Sequence, residues 1–371
     1  MIVKKRDFYI LACLISIVVY AACQRISEGS KSASKKIKQT TSARYETTPM
    51  PRGNKQDAAD DPAIVINQTD AAKSTIVGTD KKGGLAIYDL KGRQLFFYPD
   101  GEMNNADSRP GFILGNDTVN LICCSNRSKR SIAVYKASED GSLLPVSARK
   151  ITSGMNDVYG LCMYKSPATG KTYAFLNSKS GEVEQWELFS SGKNMVDAKM
   201  VRNFSLSSKV EGMVADDENK KIFIGEEDRG IWEYPAEPDG GQEGLFLVKS
   251  SEENNSRIRF DIEGLTIYYL PDGEGYLLAS SQGNYSYAVF ERKSPHKYLG
   301  SFRITNGVVD GVEETDGIDV YSYPLNSDFQ HGLLVVQDGY NDDNGNAAPQ
   351  NFKFVAWENV AKLFTPSLKM N

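Results

Sequence analysis

Six segments that each end in an aromatic residue recur along the chain, and this repeat constrains the fold more tightly than any other feature. The segments close on Tyr88, Tyr135, Trp186, Tyr234, Phe290 and Trp357, and successive ends lie 47 to 67 residues apart. Spacing of that size suits the four-stranded blades of a β-propeller. Each repeat follows one grammar: a short strand opened by a polar residue, a turn, a strand closing on a polar pair, then the aromatic-ended strand. The expected fold is all-β, a six-bladed β-propeller of four-stranded antiparallel blades over residues 59–371.

The openers and pairs carry the variation. In order the openers are Asp61, Asp107, Tyr159, Glu211, Glu263 and Asp316, mostly followed closely by glycine, and the pairs are Lys81-Lys82, Asn126-Arg127, Ser178-Lys179, Glu226-Glu227, Ser281-Gln282 and Gln337-Asp338. Equivalent positions in a propeller come round to the same end of the central channel, so these residues are expected to form a ring. The ring divides by charge. Blades one to three supply Lys81, Lys82, Arg127 and Lys179, whereas blades four to six supply Glu211, Glu226, Glu227, Glu263, Asp316 and Asp338.

The first 58 residues hold 11 of the 43 basic and 4 of the 48 acidic side chains, which leaves 32 basic and 44 acidic residues beyond them. A domain with that acidic excess is poorly suited to nucleic acid, which rewards basic surface. Carboxylates and the amide of Gln282 are hard oxygen donors and suit calcium better than zinc or copper. Only two histidines occur, His296 and His331, both in loop-like segments outside the repeat and expected at the surface. A phosphohistidine route, a serine triad and a histidine-ligated zinc site are therefore disfavoured. Phosphate-cradling glycine loops of the nucleotide-binding kind are absent from the sequence. Cys123, Cys124 and Cys162 read as buried free thiols. What survives is attack by water assisted by clustered divalent ions, with the lysine and arginine half gripping neighbouring phosphates.

The N-terminus reads as an export signal. Lys4, Lys5 and Arg6 precede an apolar run that leads through Ala21-Ala22 to Cys23, the pattern of a lipoprotein signal over residues 1–22 with acylation at Cys23. Plain secretion, with Cys23 discarded in the signal, is the alternative. Residues 23–58 are rich in Ser, Thr and Lys and read as a flexible tether.

From about residue 59 to 364 the segments resemble those of the β-propeller phytases. Those that carry the likeness include Asp60-Asp-Pro-Ala-Ile64, Lys81-Lys-Gly-Gly-Leu85, Ser125-Asn-Arg127, Glu211-Gly-Met213, Glu226-Glu-Asp228, Asp261-Ile-Glu-Gly-Leu265, Thr315-Asp-Gly-Ile-Asp-Val320 and Gln337-Asp-Gly339. The resemblance implies a 3-phytase-like phosphomonoesterase that uses several calcium ions, structural and catalytic, to hydrolyse phytate (myo-inositol hexakisphosphate), with adjacent cleavage and affinity subsites. It implies that Lys81, Lys82, Arg127, Tyr159 and Lys179 bind phosphates. Glu211, Glu227, Asp261, Glu263 and Asp316 would hold the calcium ions at the scissile phosphate, and Asp61, Gln282, Asp310 and Asp338 would hold further ions. Glu211, Glu227, Lys81, Arg127 and Lys179 are the expected catalytic set.

Two stretches depart from the family pattern: Ser180 stands where an acid is usual, and Ser108 and Pro110 alter the loop around Asp107 and Arg109. The expected partners are phytate or calcium-phytate, calcium, and a membrane through the lipid alone, with a monomeric protein. A calcium-dependent lactonase-type propeller and a non-catalytic binding propeller are the alternatives.

Overall fold

A computed structural model describes residues 37–51, 57–249, 258–343 and 345–371. The expected signal, Cys23 and residues 23–36 lie outside the described residues. Six antiparallel sheets follow one another along the chain. Their inner strands are Ala59–Val65, Met103–Leu114, Leu161–Lys165, Val210–Asp216, Leu265–Tyr269 and Ile318–Tyr321. These six contact one another in chain order, and the last returns to the first, which closes the ring of a six-bladed propeller. All six aromatic-ended segments fall on the third strands of the blades: Gly84–Asp89, Ser131–Ala137, Glu182–Ser190, Gly230–Pro235, Ser286–Glu291 and Asn351–Ala356. Trp357 itself begins the short helix Trp357–Ala361.

The closure corrects the reading of residues 23–58 as one tether. Strand Tyr45–Glu46 pairs antiparallel with Asn351–Ala356 and forms the outer strand of blade six. Strand Thr40–Thr41 adds in parallel to Tyr298–Ile304 of blade five. Low apolar content had argued against order here. The segment needs little apolar surface of its own, because the unpaired edge of blade six supplies hydrogen-bonding partners: Arg44 N donates to Phe354 O and Thr47 N to Phe352 O, both at 2.8 Å.

Alternation explains how the blades pack. One face of each strand points to the preceding blade and the other to the next, so both faces are apolar and an apolar cluster fills each interface. The blade one and six interface, for example, joins Ile64, Ile76 and Tyr88 to Leu333, Val335, Phe352 and Phe354. Five similar clusters fill the remaining interfaces. Near the channel, glycines allow the inner strands to approach. A Cβ on Gly160 would lie 2.0 Å from Glu211 O, and one on Gly212 would lie 2.1 Å from Glu263 O. Glycine after the opener thus sets how closely the functional side chains can gather.

Candidate active site

Register decides which side chains share a level of the channel. Ala59 pairs with Asp80, Met103 with Asn126 and Val210 with Glu226, so the next residues, Asp60, Asn104 and Glu211, are equivalent. Tyr159, Glu263 and Asp316 complete the set, each preceding a glycine whose carbonyl accepts an amide of the second strand: Gly160 from Asn177, Gly264 from Ser280 and Gly317 from Gln337. The openers of blades one and two are therefore Asp60 and Asn104, not Asp61 and Asp107. Irregular register between Ala59 and Pro62, and between Met103 and Ala106, breaks the alternation that sequence reading relies on.

Four side chains of this level, Tyr159, Glu211, Glu263 and Asp316, line a cleft of about 1370 Å³ together with Lys81, Lys209, Asp261 and Gln282. Glu211, Glu227 and Glu263 are buried, and one carboxylate oxygen from each lies within 4.8 Å of the other two. Asn104 Nδ2 donates to Glu211 Oε1 at 2.6 Å and fixes that carboxylate. Glu227 Oε1, Glu263 Oε2 and Asp60 Oδ2 are buried without a hydrogen-bond partner. Buried anionic oxygens lacking partners are unfavourable unless a cation compensates them. Burial, reinforced by the Glu211 and Asp261 charges, pushes Glu227 up to about 7 although Lys209 opposes the shift. Burial raises Glu263 and Asp60 well above the usual carboxylate range, with Glu211 adding to both. Asp316 is likewise pushed to about 7 by burial, and Asp261, at the rim, is raised for the same reason. Gln282 Nε2 donates to Asp316 Oδ1 at 2.8 Å. The all-oxygen donor set fits a hard divalent cation.

Cations face this cluster from a tyrosine. Tyr159 has Lys179 Nζ at 4.5 Å from its ring centroid, Lys209 Nζ at 5.1 Å and Arg127 Cζ at 6.0 Å. Burial first, then the Glu211 charge, raises the Tyr159 hydroxyl above its ordinary value and keeps it a donor. Arg127 Nη1 also donates to Asn104 Oδ1 at 3.3 Å. Lys209 Nζ lies 2.6 Å from Glu227 Oε2. Burial disfavours the Lys209 charge, but Glu227 outweighs it and holds the ammonium above the lysine value.

The expected division of the ring by charge is thus incomplete. Lys209 puts a cation in blade four, and Lys81 sits among acids: 2.6 Å from Asp57, 2.9 Å from Asp60 and 3.1 Å from Asp316. Blade one is the neighbour of blade six once the ring closes, which linear order conceals. Lys82 is exposed, one residue beyond the level of Lys81.

Three predicted ligands lie elsewhere. Asp310 and Asp338 surround the fully buried Lys353, together with Glu46 and Asn341. Asp338 Oδ2 is 3.3 Å and Asn341 Oδ1 3.0 Å from its ammonium. Asp310 also borders the large cleft. Asp61 accepts the Ala106 amide at 3.1 Å, just as Asp107 accepts Met163 N and Asp319 accepts Ile64 N, both at 2.8 Å. These carboxylates stitch neighbouring inner strands and line a smaller cleft of about 250 Å³ with Arg109. Arg109 is tied to Asp107 at 2.7 Å and Asp217 at 3.1 Å. Ser180, at the position usually acidic in the family, bonds to Ser178 and Glu182.

The three cysteines are free and buried, as expected. His296 is not a surface residue. It is 7% exposed, packs on Phe223 and has Nε2 2.7 Å from Glu233 Oε2. The tight turn that follows Lys293 folds the ring inward, and loop-like flanking residues gave no sign of that. His331 Nδ1 meets the Asn371 carbonyl at 2.6 Å. Asp60, Asn104 and Lys209 are site residues that sequence reading missed. Asp60 lies one residue and Asn104 three residues before the assigned openers, Lys209 lies two before Glu211, and aligning the second-strand ends points to all three.

Compared with known proteins, the sequence matches the family described as Phytase over residues 7–371. A 3-phytase from Bacillus subtilis (strain 168) is 45% identical over 326 residues, covering 86% of this chain and 84% of that protein. Among solved structures, a Lactobacillus plantarum protein aligns with 79% of this chain and 87% of its own at 15% identity and a TM-score of 0.47. The β-propeller domain of Myceliophteria thermophila Cps50 (Swd1) aligns with 79% and 82% at 10% identity and a TM-score of 0.43. A family match that takes in every blade, joined to 45% identity across most of both chains, establishes that this chain belongs to the phytase family.

Proposed function

We propose that this chain hydrolyses phytate to lower inositol phosphates and inorganic phosphate, using calcium held by the acidic cluster. One observation carries the reading: a three-carboxylate cluster and a tyrosine ringed by three cations meet at one open cleft, which Glu211, Glu263, Tyr159 and Lys209 line. A polyanionic ester needs both halves, whereas a lactone needs only the first. When bound, calcium supplies positive charge that offsets the phosphoryl oxygens and makes water a better nucleophile.

Glu211, Glu227 and Glu263 hold the cation, supported by Asp60, Asp261, Asp316 and Gln282 around them. Asn104 and Lys209 orient Glu211 and Glu227 by hydrogen bonding one oxygen of each. Lys179 and Arg127 flank Tyr159, which lines the cleft, and grip substrate phosphates by charge-assisted hydrogen bonds. Lys81 balances Asp60 and Asp316, so the acidic side is not a run of bare repulsion.

The assay is phosphate release from phytate in calcium and again in a chelator. Release only with calcium supports the reading. Release indifferent to chelator, or none in either condition, contradicts it. Export and anchoring through an acylated Cys23 belong to the same proposal, with mass spectrometry of the native N-terminus as the test. A mature chain starting downstream of Cys23 without lipid would mean plain secretion.

A further inference from the structure

Lys209 occupies an unusual place for a surface ion pair. Its carbonyl accepts the Glu227 amide at 3.0 Å while its ammonium reaches the Glu227 carboxylate at 2.6 Å, so backbone and side chain are both fixed to one neighbour. At the matching carbonyl in other blades stand Ala58, Glu102 and Asp261, which accept from Lys81, Arg127 and Gln282. Blade four alone of these brings a lysine to that level.

The ammonium also approaches Tyr159, whose ring already draws Lys179 and Arg127. Among the described residues neither of those two cations has a carboxylate within 4.0 Å. Two of the three cations gathered on this ring thus lack a carboxylate partner, and an entering anion relieves their mutual repulsion. An ammonium carries three donors. Glu227 takes one and the ring faces the group, and with the side chain 40% exposed in the wall of the cleft a donor remains for a ligand.

We propose that Lys209 is a further substrate-binding residue: seated on Glu227 and the Tyr159 ring, it donates to a substrate phosphate alongside Arg127 and Lys179. This rests on the phosphate-ester reading above and extends it. The lysine thereby touches the acidic cluster and the substrate at once, linking the two halves of the cleft.

Inorganic phosphate titrated calorimetrically into the calcium-loaded protein tests the assignment, with wild type, Lys209→Gln, the smaller Lys209→Ser, and Lys209→Arg. Loss of one charge-assisted contact should weaken phosphate about tenfold in both neutral variants. Lys209→Arg, which keeps the charge, should stay within about threefold. On phytate the neutral variants should raise KM by a similar factor, over and above any loss of kcat that follows from releasing Glu227. Unchanged phosphate affinity in either folded neutral variant overturns the assignment, and so does a fall in kcat at constant KM, which would mean that Lys209 only positions Glu227. Failure of the wild type to bind phosphate or release it from phytate overturns the parent reading as well, and is told apart by appearing before any substitution.

Discussion

The ammonium of Lys81, from the first blade, lies 3.1 Å from Oδ2 of Asp316 in the last. The same group is 2.9 Å from Asp60 and only 11% exposed, so the ring is closed by a buried ion pair as well as by apolar packing. Burial works against the Lys81 charge, yet Asp60, Asp316 and Asp57 together hold its pKa above the ordinary lysine value. Lys81→Met would leave two buried carboxylates uncompensated. Without calcium it should lose about 3 kcal/mol or more of stability, and calcium should recover part of that loss. Chemical denaturation with and without calcium is the check, and equal losses in both conditions would separate Lys81 from the metal site.

The raised carboxylates give stability a pH dependence with a defined sign. Glu227 and Asp316 titrate near 7 in the fold, above their ordinary values of 4.5 and 3.8. Folded values raised in this way favour the fold below the ordinary values, and the contribution disappears as pH rises through about 7. The calcium-free protein should therefore melt at a lower temperature at pH 8 than at pH 5.5. Calcium needs the ionised carboxylates, so the stabilisation it confers should grow across the same window. A calcium-induced rise in Tm equal at the two pH values would count against this cluster as the binding site.

Removal of residues before 52 should destabilise the propeller although the six repeats remain. The truncation strips the outer strand from blade six and takes Glu46 from the buried Lys353. Lys353 keeps Asp310 and Asp338, so the loss comes chiefly from the backbone hydrogen bonds stripped from blade six, read as a lower denaturation midpoint. An unchanged midpoint would mean that the N-terminal strands only decorate the fold.

Gly212→Ala tests the spacing of the inner strands. The added Cβ would sit 2.1 Å from the Glu263 carbonyl oxygen, against backbone that cannot simply rotate away. Strand separation must change, at a stability loss of about 1 to 3 kcal/mol, and Glu211 and Glu263 must move apart. Calcium affinity should fall with stability. Full affinity in a folded Gly212→Ala protein would show that the cluster tolerates such a shift.

The propeller was legible because repetition survives in one dimension: six aromatic-ended strands mark six blades whatever lies between them. Glu211, Glu227, Glu263, Asp316 and Tyr159 were legible for the same reason. Asp60 and Asn104 were displaced by irregular strand register, which moves a side chain to another level while leaving the sequence pattern intact. Lys81 looked like a member of a basic half because linear order hides the adjacency of the first and last blades. The Lys353 nest was hidden because Glu46, Asp310, Asp338 and Asn341 come from separate parts of the sequence. The N-terminal strands were missed because their partners, not their composition, order them.

The most direct measurement is a paired one on Glu227→Gln: calcium binding by calorimetry and turnover on phytate at saturating calcium. The substitution keeps the shape of the side chain and removes the charge beside Lys209 and the other two carboxylates. Calcium affinity should fall, and kcat should drop by about a hundredfold or more with the fold retained. Near-normal turnover together with wild-type calcium affinity would contradict the claim that Glu211, Glu227 and Glu263 form the catalytic metal site.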